Sequence, residues 1–296
     1  MRTKTLLGLL FWITLGTVAV AERPRPVVGE VSGYVAVEGE NLLDIAERNN
    51  LAIDHLCFAN EWPQSATKIY PGTPVVLPLA RILPSNPPRD GLVINLPERG
   101  LYFFKGGRFR QFYPISIGLA KDYKTPVTHA TIVEKVKNPT WYPPKWAKDR
   151  RPVGPGPKNP LGDRWLGLSL PRYGIHGTNK DVNIGLSTTH GCMRMYPEAI
   201  RKLYDQVSVG MPVRVEYETA KIGKGPNGEL YLVTFPDVYK RSDPVKAARN
   251  ALMRIGLESA WSPALQAEAG KCLGLPISLE SGMAVKPPTP EPAPSE

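Results

Sequence analysis

The stretch LVINLPERGLYFFKGGRFRQFYPISIG, residues 92–118, decides the fold class. It holds three short apolar or alternating runs, 92–96, 101–104 and 108–118, separated by Gly100 and the Gly106-Gly107 pair. Runs of this length bounded by glycine predict strands, because successive strand side chains point to opposite faces. TIVEKVK (131–137) alternates in the same way. Successive short strands with glycine turns predict a sheet folded on itself, a sandwich or barrel rather than a doubly wound sheet. The chain is therefore expected to be α+β and mainly β.

Upstream, residues 31–80 form a separate small unit. Tyr34 to Val37 alternate like a strand, and Asn41 can cap a helix with Leu42, Leu43, Ile45 and Ala46 as its apolar positions. A second short helix would bury Ile53, Leu56, Cys57 and Ala59, and YPGTPVVLP (70–78) reads as a turn and a closing strand. ERPRPVVGE (22–30) and SNPPRDG (85–91) read as linkers.

Downstream, residues 138–165 lose regular pattern and carry prolines, glycines, a basic cluster and Trp141, Trp146 and Trp165. A loop this long is functional or disordered, and the tryptophans argue for a lid over a binding site with cationic side chains for an anionic ligand. Pro197 opens a helix that buries Ala199, Ile200, Leu203, Tyr204 and Val207, and VRVEY (213–217) is a further strand. Residues 218–285 read as a C-terminal extension, with a hairpin at Asn227-Gly228 and a helix starting at Asp243-Pro244. Residues 286–296 are a Pro-rich tail expected to be disordered.

The first 21 residues combine Arg2 and Lys4, an apolar run from Leu6 to Val18 and a small-x-small site at Ala19-Val20-Ala21. This is the pattern of a cleaved signal peptide, with no other stretch long enough to span a bilayer. It predicts an oxidising, extracytoplasmic compartment. The formal charge of +10 favours polyanions; no zinc-finger spacing, RNA-binding aromatic motif or basic helix suggests nucleic acid. The three cysteines are an odd number, which allows a Cys57–Cys272 disulfide and leaves Cys192 as the free thiol.

Cys192 lies in STTHGCMRMYP (187–197), with IHGTN (175–179) upstream. His176, His190 and Cys192 lack the ligand number and spacing of a zinc site. A nucleophilic cysteine accounts for more of the pattern. An imidazole can take the thiol proton, and Gly191 leaves room for a carbonyl substrate. Backbone N–H groups around Gly191 and Cys192 could hold an oxyanion. An inert buried cysteine and a papain-like protease both fit less well.

These motifs resemble the signature of L,D-transpeptidases with the YkuD catalytic domain: a His-Gly, a spacer, then Ser/Thr-His-Gly-Cys-x-Arg. NPTWYPP (138–144) and GPKNPLG (156–162) are similar too, and the resemblance covers about 91–217. Residues 31–80 resemble the LysM module through EGENLLDIA, Asn60 and IYPGTPVVLP. The order of parts is similar to the periplasmic ErfK/YbiS/YcfS-type enzymes of Gram-negative bacteria. The resemblance implies Cys192 as nucleophile, His176 as base, Gly177 as the carbonyl orienting it, and His190 and Gly191 framing the oxyanion site. It implies Arg194, Thr189 and Trp141 as substrate-binding residues, and no metal or cofactor. It also implies a periplasmic cysteine acyltransferase, acylated by carbapenems, that acts on peptidoglycan stem peptides. The acyl acceptor would be an outer-membrane lipoprotein lysine, diaminopimelate or, in an L,D-carboxypeptidase, water; the alternative from another class is a non-catalytic wall-binding protein.

Overall fold

The computed structural model describes residues 22–144, 147–180 and 184–287. The expected signal peptide, Trp146 and most of the Pro-rich tail lie outside the described residues. Among the described residues, no helix is long and apolar enough to cross a membrane.

The chain begins with β1 (Arg25–Val28), β2 (Val31–Val35), α1 (Leu42–Arg48), α2 (Ile53–Ala59) and β3 (Pro74–Pro78). β2 and β3 pair antiparallel, with Val31 opposite Pro78, so the expected strand–helix–helix–strand unit forms. Asn41 caps α1: its side chain accepts the N–H groups of Leu43 and Asp44, and the Asp44 carboxylate accepts the Asn41 N–H. Leu42, Ile45, Ala46, Ile53, Leu56 and Cys57 fill the unit's own core. Asn60 closes it, donating to the Val76 carbonyl at 2.9 Å and accepting the Val76 N–H at 2.8 Å.

Then follow β4 (Arg81–Ile82), β5 (Gly91–Asn95), β6 (Gly100–Lys105), β7 (Arg108–Pro114), β8 (Ile117–Gly118) and β9 (Thr128–Lys137). β10 (Arg164–Leu168), β11 (Gly174–His176), β12 (Ser187–Thr189), β13 (Met193–Arg194), α3 (Pro197–Gln206) and β14 (Pro212–Glu216) complete this region. Eight of these strands make one sheet in the order β13-β11-β10-β9-β14-β5-β6-β7. The sheet curls toward closure: Ser116, just past β7, exchanges two backbone hydrogen bonds of 2.8 and 3.1 Å with Arg194 of the opposite edge strand. Leu92, Ile94, Phe103, Ile132, Leu166 and Ile175 line its inside and pack against α3. Each such burial contributes about 1.5–3 kcal/mol. The mainly β architecture is the expected one.

The Pro-rich segment before residue 30 is not a free linker: it contains β1, which pairs parallel with β15 (Ala220–Lys224) and antiparallel with β4. The C-terminal extension is packed in beside it. With β16 (Leu230–Thr234), α4 (Pro244–Arg254), α5 (Pro263–Gly270) and β17 (Ile277–Ser278) it builds a second sheet, β17-β16-β15-β1-β4. Fully buried Lys221 of β15 donates to Glu98 Oε2 at 2.5 Å and to the Tyr102 hydroxyl at 3.2 Å. A buried ammonium needs such partners, so this contact locks the extension to the main sheet.

The cysteines do not pair. All three are free. Cys57 faces the interior of its own unit, whereas Cys272 follows α5 with its Sγ 3.6 Å from the Ala269 carbonyl, so the disulfide that the cysteine count allows is not formed.

Trp165 belongs to strand β10 and not to a lid. The described residues 138–144 and 147–163 of the Trp-rich segment form a strap around buried Asn159, whose amide donates to the carbonyls of Pro139 (2.7 Å), Gly154 (3.1 Å) and Val153 (3.2 Å).

The N-terminal unit docks directly behind the Cys192 motif. Asp54 and Arg99 form a buried ion pair, and the Tyr196 hydroxyl donates to the Leu51 carbonyl at 3.1 Å. Gly185 is pressed against this unit: a Cβ there would come within 2.2 Å of Ala52 Cβ.

Candidate active site

Strand alternation assembles the site. Leu166, Ile175 and Met193 of β10, β11 and β13 belong to the core. Their neighbours Trp165, His176 and Arg194 therefore share the opposite face. Trp165 is the antiparallel partner of His176, and Arg194 is its parallel partner. Cys192 lies two residues before Arg194, which puts it on the same face beside Gly174.

His176 is buried and its tautomer follows from its partner. Nδ1 lies 2.6 Å from the Gly177 carbonyl. A carbonyl oxygen only accepts, so Nδ1 carries the hydrogen and Nε2 keeps its lone pair. Burial, and then the Arg194 guanidinium, push the His176 pKa down to about 4, with the Gly177 hydrogen bond partly opposing them. Cys192 is half-buried and its thiol donates to the Arg172 carbonyl at 3.5 Å. Burial raises the thiol pKa, while a backbone hydrogen bond with Gly174 and the charge of Arg194 pull it back. At neutral pH both groups rest uncharged. Arg194 Nε is buried without a hydrogen-bond partner, and burial lowers the guanidinium pKa against the attraction of Cys192. A cation beside the thiol suits an incoming carboxylate.

The turn before Cys192 is built from hydroxyls. Thr189 Oγ1 accepts the Gly191 N–H at 3.1 Å and donates to the Cys192 carbonyl at 2.6 Å. Thr125 Oγ1 donates to the Gly191 carbonyl at 2.8 Å. Gly191 has φ +109°, and a Cβ there would meet the Tyr173 ring at 2.6 Å. Only glycine fits this turn.

The expected residues thus divide. Cys192, His176, Gly177 and Arg194 come together. Thr189 is buried, and its hydroxyl is committed inside the turn. The Gly191 N–H is committed there too, which leaves the Cys192 N–H as the nearer candidate oxyanion donor. His190 is exposed, its ring edge-on to Tyr123 at 4.4 Å. Trp141 sits in the strap with its backbone paired to Val153, and no described contact brings it against Cys192 or His176. Thr125, Arg172 and Tyr173 were missed, because nothing in their local sequence distinguishes them. Among the described residues no group of three His, Cys, Asp or Glu side chains gathers to hold a metal.

The L,D-transpeptidase catalytic domain model, YkuD, matches residues 89–215. The chain is 32% identical over 260 residues to the probable L,D-transpeptidase YbiS of Escherichia coli K12, covering 78% of this chain and 81% of that protein. It is 33% identical over 218 residues to the probable L,D-transpeptidase YcfS of the same organism, covering 68% and 67%. Among solved structures, it is similar to L,D-transpeptidase 3 from Mycobacterium tuberculosis in complex with a faropenem-derived adduct. That match has a TM-score of 0.37 at 16% identity and covers 50% of this chain and 76% of the other. With two relatives above 30% identity, each spanned over two thirds of its length or more, the chain belongs to the L,D-transpeptidase family.

Proposed function

We propose that Cys192 is the nucleophile of a periplasmic peptidoglycan L,D-transpeptidase and His176 its general base. The observation that carries this reading is the ladder register that sets His176 beside Arg194, with Cys192 two residues before it on the same face. His176 Nε2 takes the thiol proton as sulfur attacks the carbonyl of diaminopimelate in a stem tetrapeptide. The Cys192 N–H steadies the oxyanion. The tetrahedral intermediate collapses, the amide C–N bond breaks, and the imidazolium returns the proton to the leaving D-alanine amine. A thioester remains. An acceptor amine then attacks it, His176 takes the amine proton, and sulfur leaves as the thiol.

Arg194 binds a substrate carboxylate; its place beside His176 and within electrostatic reach of Cys192 supports this role. Gly177 fixes the imidazole, Thr189 and Gly191 shape the turn, and His190 with Tyr123 walls it. Trp141 and the basic strap cover the bound stem peptide. Residues 31–80 act as a LysM-type glycan-binding unit, and its docking against Gly185 supports a fixed orientation between glycan and thiol.

The acceptor is the amine of a lipoprotein lysine, or of another diaminopimelate to give a 3→3 cross-link. Incubating sacculi with the enzyme, with and without a candidate lipoprotein, and analysing the muropeptides reads the acceptor directly. Lipoprotein-linked or 3→3-linked muropeptides that depend on Cys192 support the proposal. Tripeptides alone would mean that water is the acceptor, and an unchanged profile would overturn it.

A further inference from the structure

On the face that carries His176, the row of Glu134, Gly167, Gly174 and Cys192 has no side chain at its two central positions. The Trp165 indole occupies that gap. Cβ atoms built at Gly174 would come within 2.4 Å of the indole benzo ring, and at Gly167 within 3.0 Å of its Nε1. The indole stacks on His176 with centroids 5.8 Å apart and planes 27° apart. Its Nε1–H donates to Glu134 Oε2 at 3.0 Å. Gly174 is therefore needed for the ring to lie flat, Gly167 adds a close fit at its Nε1, and the carboxylate sets its rotation. The benzo edge lies over Gly174, whose backbone contacts the Cys192 thiol.

We propose that Trp165, oriented by Glu134, is a positioning residue for His176, and that its indole also walls the gap between imidazole and thiol. The proposal rests on the reading of His176 as base to Cys192. Arg194 confines the imidazole on the β13 side and the indole confines it on the β10 side, so its free Nε2 has one direction left, toward the thiol and the substrate. The indole also keeps water off the ring, consistent with burial as the first cause of its depressed pKa. The charged or titratable groups that face His176 are Arg194, its partner on β13, Cys192 two residues before Arg194, and Glu134 on β9 beyond the indole.

The test is the pH dependence of acylation by a carbapenem, followed by intact mass on the full mature chain, for wild type, Trp165→Ala and Trp165→Phe. Trp165→Ala is expected to slow acylation on the order of 10-fold at neutral pH. It should also move the acid limb upward from near 4 toward the ordinary histidine value of about 6.5. Trp165→Phe, which keeps a ring on His176, should restore most of both. A Trp165→Ala profile that matches wild type, or a Trp165→Phe profile that matches Trp165→Ala, overturns the proposal while the reading of Cys192 stands. A wild type that takes no acyl group overturns that reading instead. If Trp165→Ala does not fold, Glu134→Ala at its exposed position substitutes: a smaller upward shift of the limb supports the proposal, and no shift overturns it.

Discussion

Arg194 and His176 are direct partners in the parallel β13–β11 ladder, so a guanidinium stands beside the imidazole and within electrostatic reach of the Cys192 thiol. The charge favours the thiolate and disfavours the imidazolium. A substrate carboxylate that pairs with Arg194 would relieve the second effect when the base is needed. Arg194→Gln is therefore expected to raise KM for a stem tetrapeptide by roughly 10- to 100-fold, the value of one or two charge-assisted hydrogen bonds. Alkylation of Cys192 by neutral iodoacetamide should change far less. Equal losses in the two assays would remove the carboxylate role.

Two histidines make stability depend on pH. His55 accepts the Ala52 N–H at 3.2 Å with Nδ1, and its Nε2 lies 2.7 Å from the Glu98 carbonyl, so the ring must be neutral to serve both. Burial pushes its pKa to about 4, as it does for His176. A folded pKa below the unfolded value of about 6.5 means the unfolded chain binds more protons between the two. Stability is then fully present above about pH 6.5 and is lost as pH falls toward 4, by up to about 1.4 kcal/mol per pH unit per histidine. Urea melts at pH 7 and pH 5 measure it, and His55→Gln should flatten the dependence.

Thr189→Val removes the hydroxyl that accepts the Gly191 N–H and donates to the Cys192 carbonyl. Two buried backbone groups lose their partner at a cost of about 1–3 kcal/mol each. The expected result is a fall in kcat of roughly 10- to 100-fold with KM little changed, because the turn and not a substrate contact is lost. A rise in KM alone would assign Thr189 to substrate binding.

Lys221→Ala takes from buried Glu98 the nearer of its two cations and leaves Arg81 at 3.9 Å. Breaking a buried pair from one side costs about 3–5 kcal/mol. Thermal unfolding should show a large loss, and the Lys221→Met, Glu98→Gln double variant should recover part of it. An unchanged Tm would mean the C-terminal sheet is held by other contacts.

The sequence pattern made most of the elements legible, and for physical reasons. Asn41 and Pro197 announced helix starts, and the apolar spacing of α1, α2 and α3 named their buried residues. The Cys192 motif was legible because its glycines and histidines are adjacent in the chain. What escaped depends on distant partners. β1 has four residues, one of them a proline, and becomes a strand only because β15 and β4 flank it. Trp165 was grouped with a loop because the strand starts at Arg164, one residue earlier. The alternation of Trp165, Leu166, Gly167 and Leu168 was the available signal. Thr125 joins the turn from 66 residues away, and no local pattern announces that contact.

The central claim is that the acyl group is carried by Cys192. Intact mass spectrometry of the mature chain after incubation with a carbapenem tests it most directly, with peptide mapping to locate the adduct. One covalent adduct on the peptide containing Cys192, absent from Cys192→Ala, is the expected result. No adduct on the wild type, or one that persists in Cys192→Ala, would contradict it.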